Sequence, residues 1–218
     1  MEYTEYYRDR EQDKALGYRL RRRTKEVITA LKPLVSKPVG LVIDVGCADR
    51  LMLNQVVDEL GTDEGLGLDY NIDLLRMQKD GAAVCQADAL RLPITDACAD
   101  VVLATAMIEH VADPEQVAAE FYRVLRKGGV CVLTTPNPTM EAIATKVGLL
   151  KDDTHYRLFD LKSLGTLVVE AGFQLVGTKR FMLSPRGMPC EELAEKILKV
   201  AHLDFILANQ LVVGQKVD

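Results

Sequence analysis

The sequence predicts an α/β fold built on a doubly wound, mostly parallel sheet. Three observations support this. Short apolar runs rich in β-branched residues alternate with stretches of helical periodicity from Leu41 to about Val176. The first run, Leu41–Val45, breaks at Gly46, and behind it Leu53, Val56, Val57 and Leu60 recur at the spacing of one helix face. Three successive runs also close on an acid: Asp44, Asp69 and Asp88. Strand, glycine turn and helix together bring bare backbone N–H groups and a helix N-terminus towards a ligand.

The chain has 218 residues, 48% of them apolar, enough for one sizeable core and too few for two full domains. A net charge of −5 argues against a basic footprint for nucleic acid. The five cysteines, Cys47, Cys85, Cys98, Cys131 and Cys190, are scattered, odd in number and form no CxxC pair. That is the usage of a reducing compartment, not of a disulfide framework or a zinc cluster. The polar start MEYTEYYRDREQDK does not read as a signal peptide, and the run VVLATAMI is far short of the ~20 residues that span a bilayer. The expectation is a cytoplasmic chain with no integral membrane segment.

Residues 9–32 read as a helix with a sparse stripe of Leu16, Leu20, Val27 and Leu31, stopped by Pro33. It carries Arg19, Arg21, Arg22, Arg23 and Lys25, either a solvated face or a cap offering positive charge to an anionic substrate. LKPLVSKPVG is a turn-rich connector. After the central strand and helix, GLGLD closes on Asp69, and Asn71 caps a helix through Lys79, ended by Gly81. Residues 82–87 form a third strand before Asp88. Residues 100–104 begin a fourth within VVLATAMIEHV, apolar on both faces as a central parallel strand is. Asp113-Pro114 starts a helix with Asp as cap, Pro at the first position and Gln116 at the third, and Lys127-Gly128-Gly129 ends it. Residues 130–134 are strand five, followed by a helix at 139–150. Asp160 caps another helix through Ala171, and strand six covers 174–176 or a little more. A helix striped by Leu193, Ile197, Val200 and Ala201 follows the break at 185–189, and residues 206–213 close the sheet.

In such a sheet a ligand lies beyond the carboxyl ends of the strands, beside the first of them. Asp69 falls a little over twenty residues after the first turn, where an acid accepts from both hydroxyls of a ribose. Asp88 stands where a side chain meets an adenine edge. Each acid alone is equally a turn or cap residue; three in succession point to an adenosine-containing ligand. A dinucleotide fingerprint would put its glycines at Gly46, Ala48 and Leu51. Leucine in the third place would push the helix off the strand, so NAD fits poorly.

The ordered set IDVGCAD, Asp69, QADALRLP, IEHVADP, RVLRKGG and HYRLFDLKSLGTLVVEAGF resembles the class I S-adenosylmethionine-dependent methyltransferases. More narrowly it is similar to their small-molecule subgroup, often called type 11, from about Leu41 to Val213. The resemblance implies a seven-stranded sheet with an antiparallel last strand, LANQLVVGQK, hairpinned onto strand six. It implies S-adenosyl-L-methionine as cofactor and S-adenosyl-L-homocysteine as product. The expected organisation is one domain over 1–218, with a helical cap at 1–38, a cofactor-binding core at 39–181, a helical lid insertion at 182–205 and the last strand at 206–218.

By the same resemblance Asp44, Gly46 and Cys47, with Ala48 on the same turn, line the methionine end of the cofactor. Asp69 holds the ribose hydroxyls and Tyr70 packs on the adenine. Asp88 accepts from the adenine amino group, with the Ala89 N–H beside it, and Thr105 flanks the methionine near the transferred methyl. His110 and His155 are the candidate general bases. Tyr156 and Arg157 are candidates to bind the acceptor, Arg157 being equally able to hold its own loop. Some hydroxyl-methylating relatives place an extra acid before the Glu-His pair and bind a metal; here that position is Ala106, so no metal is expected.

The first turn departs from the family pattern G-x-G-x-G, reading Gly46, Ala48 and Arg50. Arg50 is expected to point outward, pair with Asp49 or reach the cofactor carboxylate. The activity implied is methyl transfer by in-line displacement to a small-molecule or lipid-linked acceptor. Met182, Met188 and the helix after Pro189 suit an apolar acceptor, or else a core or a homodimer contact. The rival expectation is a degenerate binding module of the same fold that serves as a partner subunit. Ala48 and Arg50 favour it; Asp44, Asp69 and Asp88 oppose it. Nucleic-acid methylation has only the Arg19–Lys25 cluster behind it and ranks last.

Overall fold

The computed structural model describes residues 14–77, 80–146, 148, 155–184 and 186–217. Helices and strands alternate in the order α1 (Lys14–Leu31), β1 (Leu41–Val45), α2 (Leu51–Leu60), β2 (Gly65–Asp69), α3 (Ile72–Leu75), β3 (Ala83–Gln86) and β4 (Ala99–Thr105). They continue as α4 (Pro114–Val124), β5 (Leu125–Pro136), α5 (Pro138–Lys146), α6 (Leu161–Glu170), β6 (Gln174–Phe181), α7 (Glu191–Val200) and β7 (Asn209–Gln215). The seven strands form one sheet in the order β3-β2-β1-β4-β5-β7-β6. Strands β1 to β5 pair in parallel, and β7 inserts antiparallel between β5 and β6. The doubly wound sheet with an antiparallel last strand is therefore as the sequence predicts.

Side chains alternate across a strand, so each central strand feeds two cores. Ile43, Val102 and Leu133 face one side with Phe121 of α4 and Leu164 of α6. Val42, Leu103 and Val132 face the other with Val27 and Leu31 of α1 and Leu53 and Val56 of α2. Every residue of β4 but the last is buried, the mark of a central parallel strand. Asp113 caps α4 through the Gln116 N–H and Asp160 caps α6 through the Ser163 N–H, both at the predicted positions.

Some boundaries differ from expectation, and others fall on residues outside those described. The helix expected at 9–32 is seen from Lys14, residues 9–13 lying outside those described. The helix expected from Asn71 to Lys79 is Ile72–Leu75 among the described residues, and the Leu75 carbonyl accepts from the Arg50 guanidinium at 2.7 Å. Leu125, expected on the helix, and Lys127-Gly128-Gly129, expected to end it, instead belong to the start of β5: Leu125 pairs with Ala99, and the Gly128 N–H and Gly129 carbonyl bond to Lys216. Strand β6 runs to Phe181 because β7 offers it partners along the whole length. The last strand begins at Asn209, after a short turn at Asp204–Ile206.

Helix α7 is inverted relative to its sequence pattern. Leu193, Ile197 and Val200, its apolar stripe, are 59%, 60% and 83% exposed, while Glu191 and Glu195 are buried. The reason lies on α1. Arg22 turns inward and forks onto Glu195 at 2.8 and 2.9 Å, and it also pairs with Glu26, which Lys179 meets from β6. Glu195 accepts from the Met182 N–H at 2.8 Å, and Glu191 from the N–H groups of Leu183 and Ser184 and from the Tyr18 hydroxyl. A buried charge needs a partner more than a leucine needs cover, so the acids decide which way the helix faces.

Candidate functional site

The parallel strands β1, β2 and β4 end together, and the turns beyond them build the site. Gly46 takes φ +76°, and a Cβ there would come within 2.5 Å of Met107 Cγ, so glycine is required at this one position of the turn after β1. Its N–H and that of Cys47 both donate to the Leu68 carbonyl, which extends the β1–β2 ladder past the strand end. Ala48 and Arg50 follow in left-handed conformations with φ +48° and +55°. The turn thus keeps at these two positions the geometry that glycine adopts most cheaply, carried by residues with side chains.

Asp69 closes β2 and anchors this turn. One carboxylate oxygen accepts the Ala48 N–H at 2.9 Å and the other the Asn71 N–H at 2.8 Å. Each oxygen keeps a further lone pair for a ligand. Asp44 is buried on the penultimate position of β1. Cys47 lies within the fields of Asp44 and Asp69; burial first, then those two charges, push its thiol well above the usual range, so it stays protonated. Gly67 leaves it room, since a Cβ there would meet the sulfur at 2.6 Å. Tyr70 stands beside Asp69 with its ring 78% exposed. Asp88, exposed, accepts the Leu90 N–H at 2.9 Å, with Ala89 half-buried next to it. Thr105 ends β4 half-buried.

Arg50 neither points outward nor heads for the strand ends. It is buried, and its guanidinium donates to the Ala82 carbonyl at 2.9 Å and the Leu75 carbonyl at 2.7 Å. It therefore ties the first turn to the entrance of β3.

Beyond β4, a short turn at Ile108–His110 and the loop at 155–159 meet. The rings of His110 and His155 lie 4.7 Å apart, tilted by 47°. Glu109 is buried beside them, its carbonyl accepting the N–H groups of Tyr156 and Arg157 and so pinning that loop. Glu141 on α5 comes within 3.6 Å of His155 Nδ1. A cavity of about 370 Å³ opens next to His155, lined by Pro138, Glu141, Ala142, Thr145, Lys146 and Leu158. Tyr156 is 75% exposed. Arg157 pairs with Glu115 and lies 4.9 Å over the Phe159 ring, the loop-holding arrangement. Hydrogen bonding from Arg157 keeps the Glu115 carboxyl below its ordinary range.

Glu109, His110 and His155 bring ligand atoms within 4.8 Å of one another, a set of side chains able to hold a metal ion. The expectation of no metal looked only at Ala106 and did not foresee this grouping. Glu141 was not singled out in the sequence at all; only its place in a predicted helix after TTPNP was legible.

A family model described as a methyltransferase domain matches residues 16–178. The chain belongs to the class I S-adenosylmethionine-dependent methyltransferase family. Among its relatives is a Mycolicibacterium smegmatis protein named as a probable S-adenosylmethionine-dependent methyltransferase, 29% identical over 63% of this chain and 53% of its own length. A demethylmenaquinone methyltransferase of Lactobacillus johnsonii is 29% identical over 71% of this chain and 67% of its own. The chain spans about half the length of the first of these relatives. A Haloferax volcanii chain in complex with the Trm112 methyltransferase activator shares the fold, with a TM-score of 0.68, 19% identity and coverage of 98% and 96%.

The cofactor of this family is S-adenosylmethionine. The turns fit such a group: Asp69 retains acceptor capacity on both oxygens, and Tyr70 stands exposed beside it.

Proposed function

We propose that the chain transfers a methyl group from S-adenosylmethionine to a small-molecule or lipid-linked acceptor bound beside His155. The observation that carries this reading is the meeting of the two predicted histidines, 4.7 Å apart, at the rim of a cavity beyond β4 and β5. Asp69 would take the ribose hydroxyls, with Tyr70 over the adenine and Asp88 and Ala89 at its edge. Asp44, Gly46, Cys47, Ala48 and Thr105 would line the methionine end.

When bound, the cofactor supplies a methyl already activated on a sulfonium. The residues then have to orient the acceptor and hold its proton, since alignment alone is worth about 7–11 kcal/mol for well-placed reactants. In this reading His155, steered through Nδ1 by Glu141, takes the acceptor proton at Nε2, and His110 stabilises the charge-bearing ring beside Glu109. The acceptor sits in the cavity between α5 and the 155–158 loop, where Ala142 and Leu158 offer apolar walls and Lys146 a charge. The relative named for demethylmenaquinone lends support to an apolar acceptor. The five free cysteines support a reducing, cytoplasmic setting.

The experiment is calorimetric titration of the folded protein with S-adenosylmethionine and S-adenosylhomocysteine, beside Asp69→Ala. Micromolar binding lost in the variant supports the enzyme. No heat with either ligand up to millimolar overturns it in favour of a partner subunit.

A further inference from the structure

We propose that helix α7 and the turn after it form a docking face for an anionic lipid surface. The face is apolar and turned to solvent: Met188, Leu193, Ile197, Val200, Leu203 and Phe205 are each between 43% and 83% exposed. Three of them recur at i, i+4 and i+7, so they form one stripe along the helix, directly opposite the buried Glu191 and Glu195.

Charge is sorted by depth around this stripe. Each nearby acid is turned inward or held by a cation: Glu191 by Tyr18 and two N–H groups, Glu195 by Arg22, Glu192 by Lys25, and Asp204 by Arg180. The exposed cations Arg186 and Lys196 have no ion-pair partner among the described residues. An apolar stripe with Lys196 beside it on the same helix and Arg186 exposed in the loop before it, on a chain whose net charge is −5, is complementary to a membrane interface carrying anionic headgroups. A second copy fits less well, because a two-fold contact through this face would set the same cations against each other.

The face is also joined to the candidate acceptor cavity. The Asn137 side chain donates to the carbonyls of Phe205 and Leu207, both at 2.8 Å, and Asn137 immediately precedes α5, which lines the cavity beside His155. Docking through α7 would therefore hold the cavity close to the bilayer. That last step rests on the proposed acceptor site; the docking itself does not.

The test is flotation of the full chain with vesicles of phosphatidylcholine alone and of phosphatidylcholine mixed equally with phosphatidylglycerol. Preferential binding to the anionic vesicles, weakened by added salt, is the expected result. Ile197→Glu combined with Val200→Glu lowers that partition at least about tenfold, and Lys196→Gln lowers it about fivefold. Both variants should bind S-adenosylmethionine as the parent does, which separates a lost face from a lost fold. Failure to bind the cofactor alongside intact vesicle binding would sink the enzyme reading and leave this one standing. No vesicle binding, equal binding to both compositions, or variants that bind like the parent would overturn it. So would a dimer that Ile197→Glu dissolves, which would assign the face to a second copy.

Discussion

The backbone N–H of Ala48 donates to the Asp69 carboxylate at 2.9 Å, so the acid that ends β2 also fixes the turn that ends β1. One side chain thus sets the shape of both walls of the crevice between these strands, and its loss is felt twice. Asp69→Ala is expected to weaken S-adenosylmethionine about ten- to hundredfold, the range for hydrogen bonds to a charged group. Asp69→Asn, which keeps the size and part of the accepting capacity, falls between. Calorimetric titration of the three proteins checks the order.

Arg50 holds a left-handed conformation that costs an L-residue about 1–2 kcal/mol and offsets it with bonds to two carbonyls. Arg50→Ala keeps the strain and loses the bonds, so it lowers stability by about 2–3 kcal/mol. Arg50→Gly loses the same bonds but sheds the strain, and is expected to be about 1 kcal/mol more stable than Arg50→Ala. Urea denaturation of the parent and the two variants measures the difference. A loss confined to cofactor affinity, with stability unchanged, would contradict this reading.

His110 and His155 face each other, so they are expected to act as a unit. Replacing either by Gln lowers kcat for the acceptor about 10²–10⁴-fold, the range for general-base catalysis, and leaves S-adenosylmethionine affinity close to that of the parent. The double variant falls little further than the worse single one. Formation of S-adenosylhomocysteine with acceptor present is the readout.

Ala142 lies on the wall of a cavity whose lining includes none of the residues proposed to hold the cofactor. Ala142→Phe fills part of that space and is expected to raise KM for the acceptor while cofactor binding stays as it was. An unchanged KM would place the acceptor elsewhere.

Glu26 sits where three elements meet. Burial pushes its carboxyl up, but hydrogen bonds from Lys179 and Arg22 outweigh this and hold it below the ordinary value of 4.5. A carboxyl depressed in the folded state contributes stability that is present above the unfolded value and is lost as pH falls through the folded one. The parent is therefore expected to lose stability progressively below about pH 4.5. Glu26→Gln flattens that slope and is destabilised at neutral pH by about 1.5–3 kcal/mol, because Arg22 keeps Glu195 but loses its charge-assisted bond to Glu26. Thermal melts across pH follow both effects.

The parallel half of the sheet is legible in the sequence because its information is local. Apolar runs, Gly46 and caps such as Asp113 and Asp160 each act within a few residues. Spacing places Asp69 at a strand end, and the resemblance singles out the two histidines, which the fold then brings together. What does not read out is partnership over distance. The stripe of Leu193, Ile197 and Val200 tells that α7 has an apolar face, yet its direction is set by Arg22, far away in the chain. Arg50 looks like a defect in a glycine pattern until the Leu75 and Ala82 carbonyls come to meet it. Glu141 shows its worth only when α5 swings back over the 155–159 loop.

The insertion of β7 between β5 and β6 also governs the order in which the molecule can be put together. Strand β6 touches the sheet only through β7, although it is made first, and the end of β5 at Pro136 waits for Asn209. As the chain is synthesised, β1 to β5 can pair as they emerge, whereas residues 174–181 have no berth until the last strand arrives. During that interval β5 presents an open edge that is apolar from Val130 to Leu133. The nascent chain is most in need of chaperone cover in the stretch of synthesis between β6 and β7.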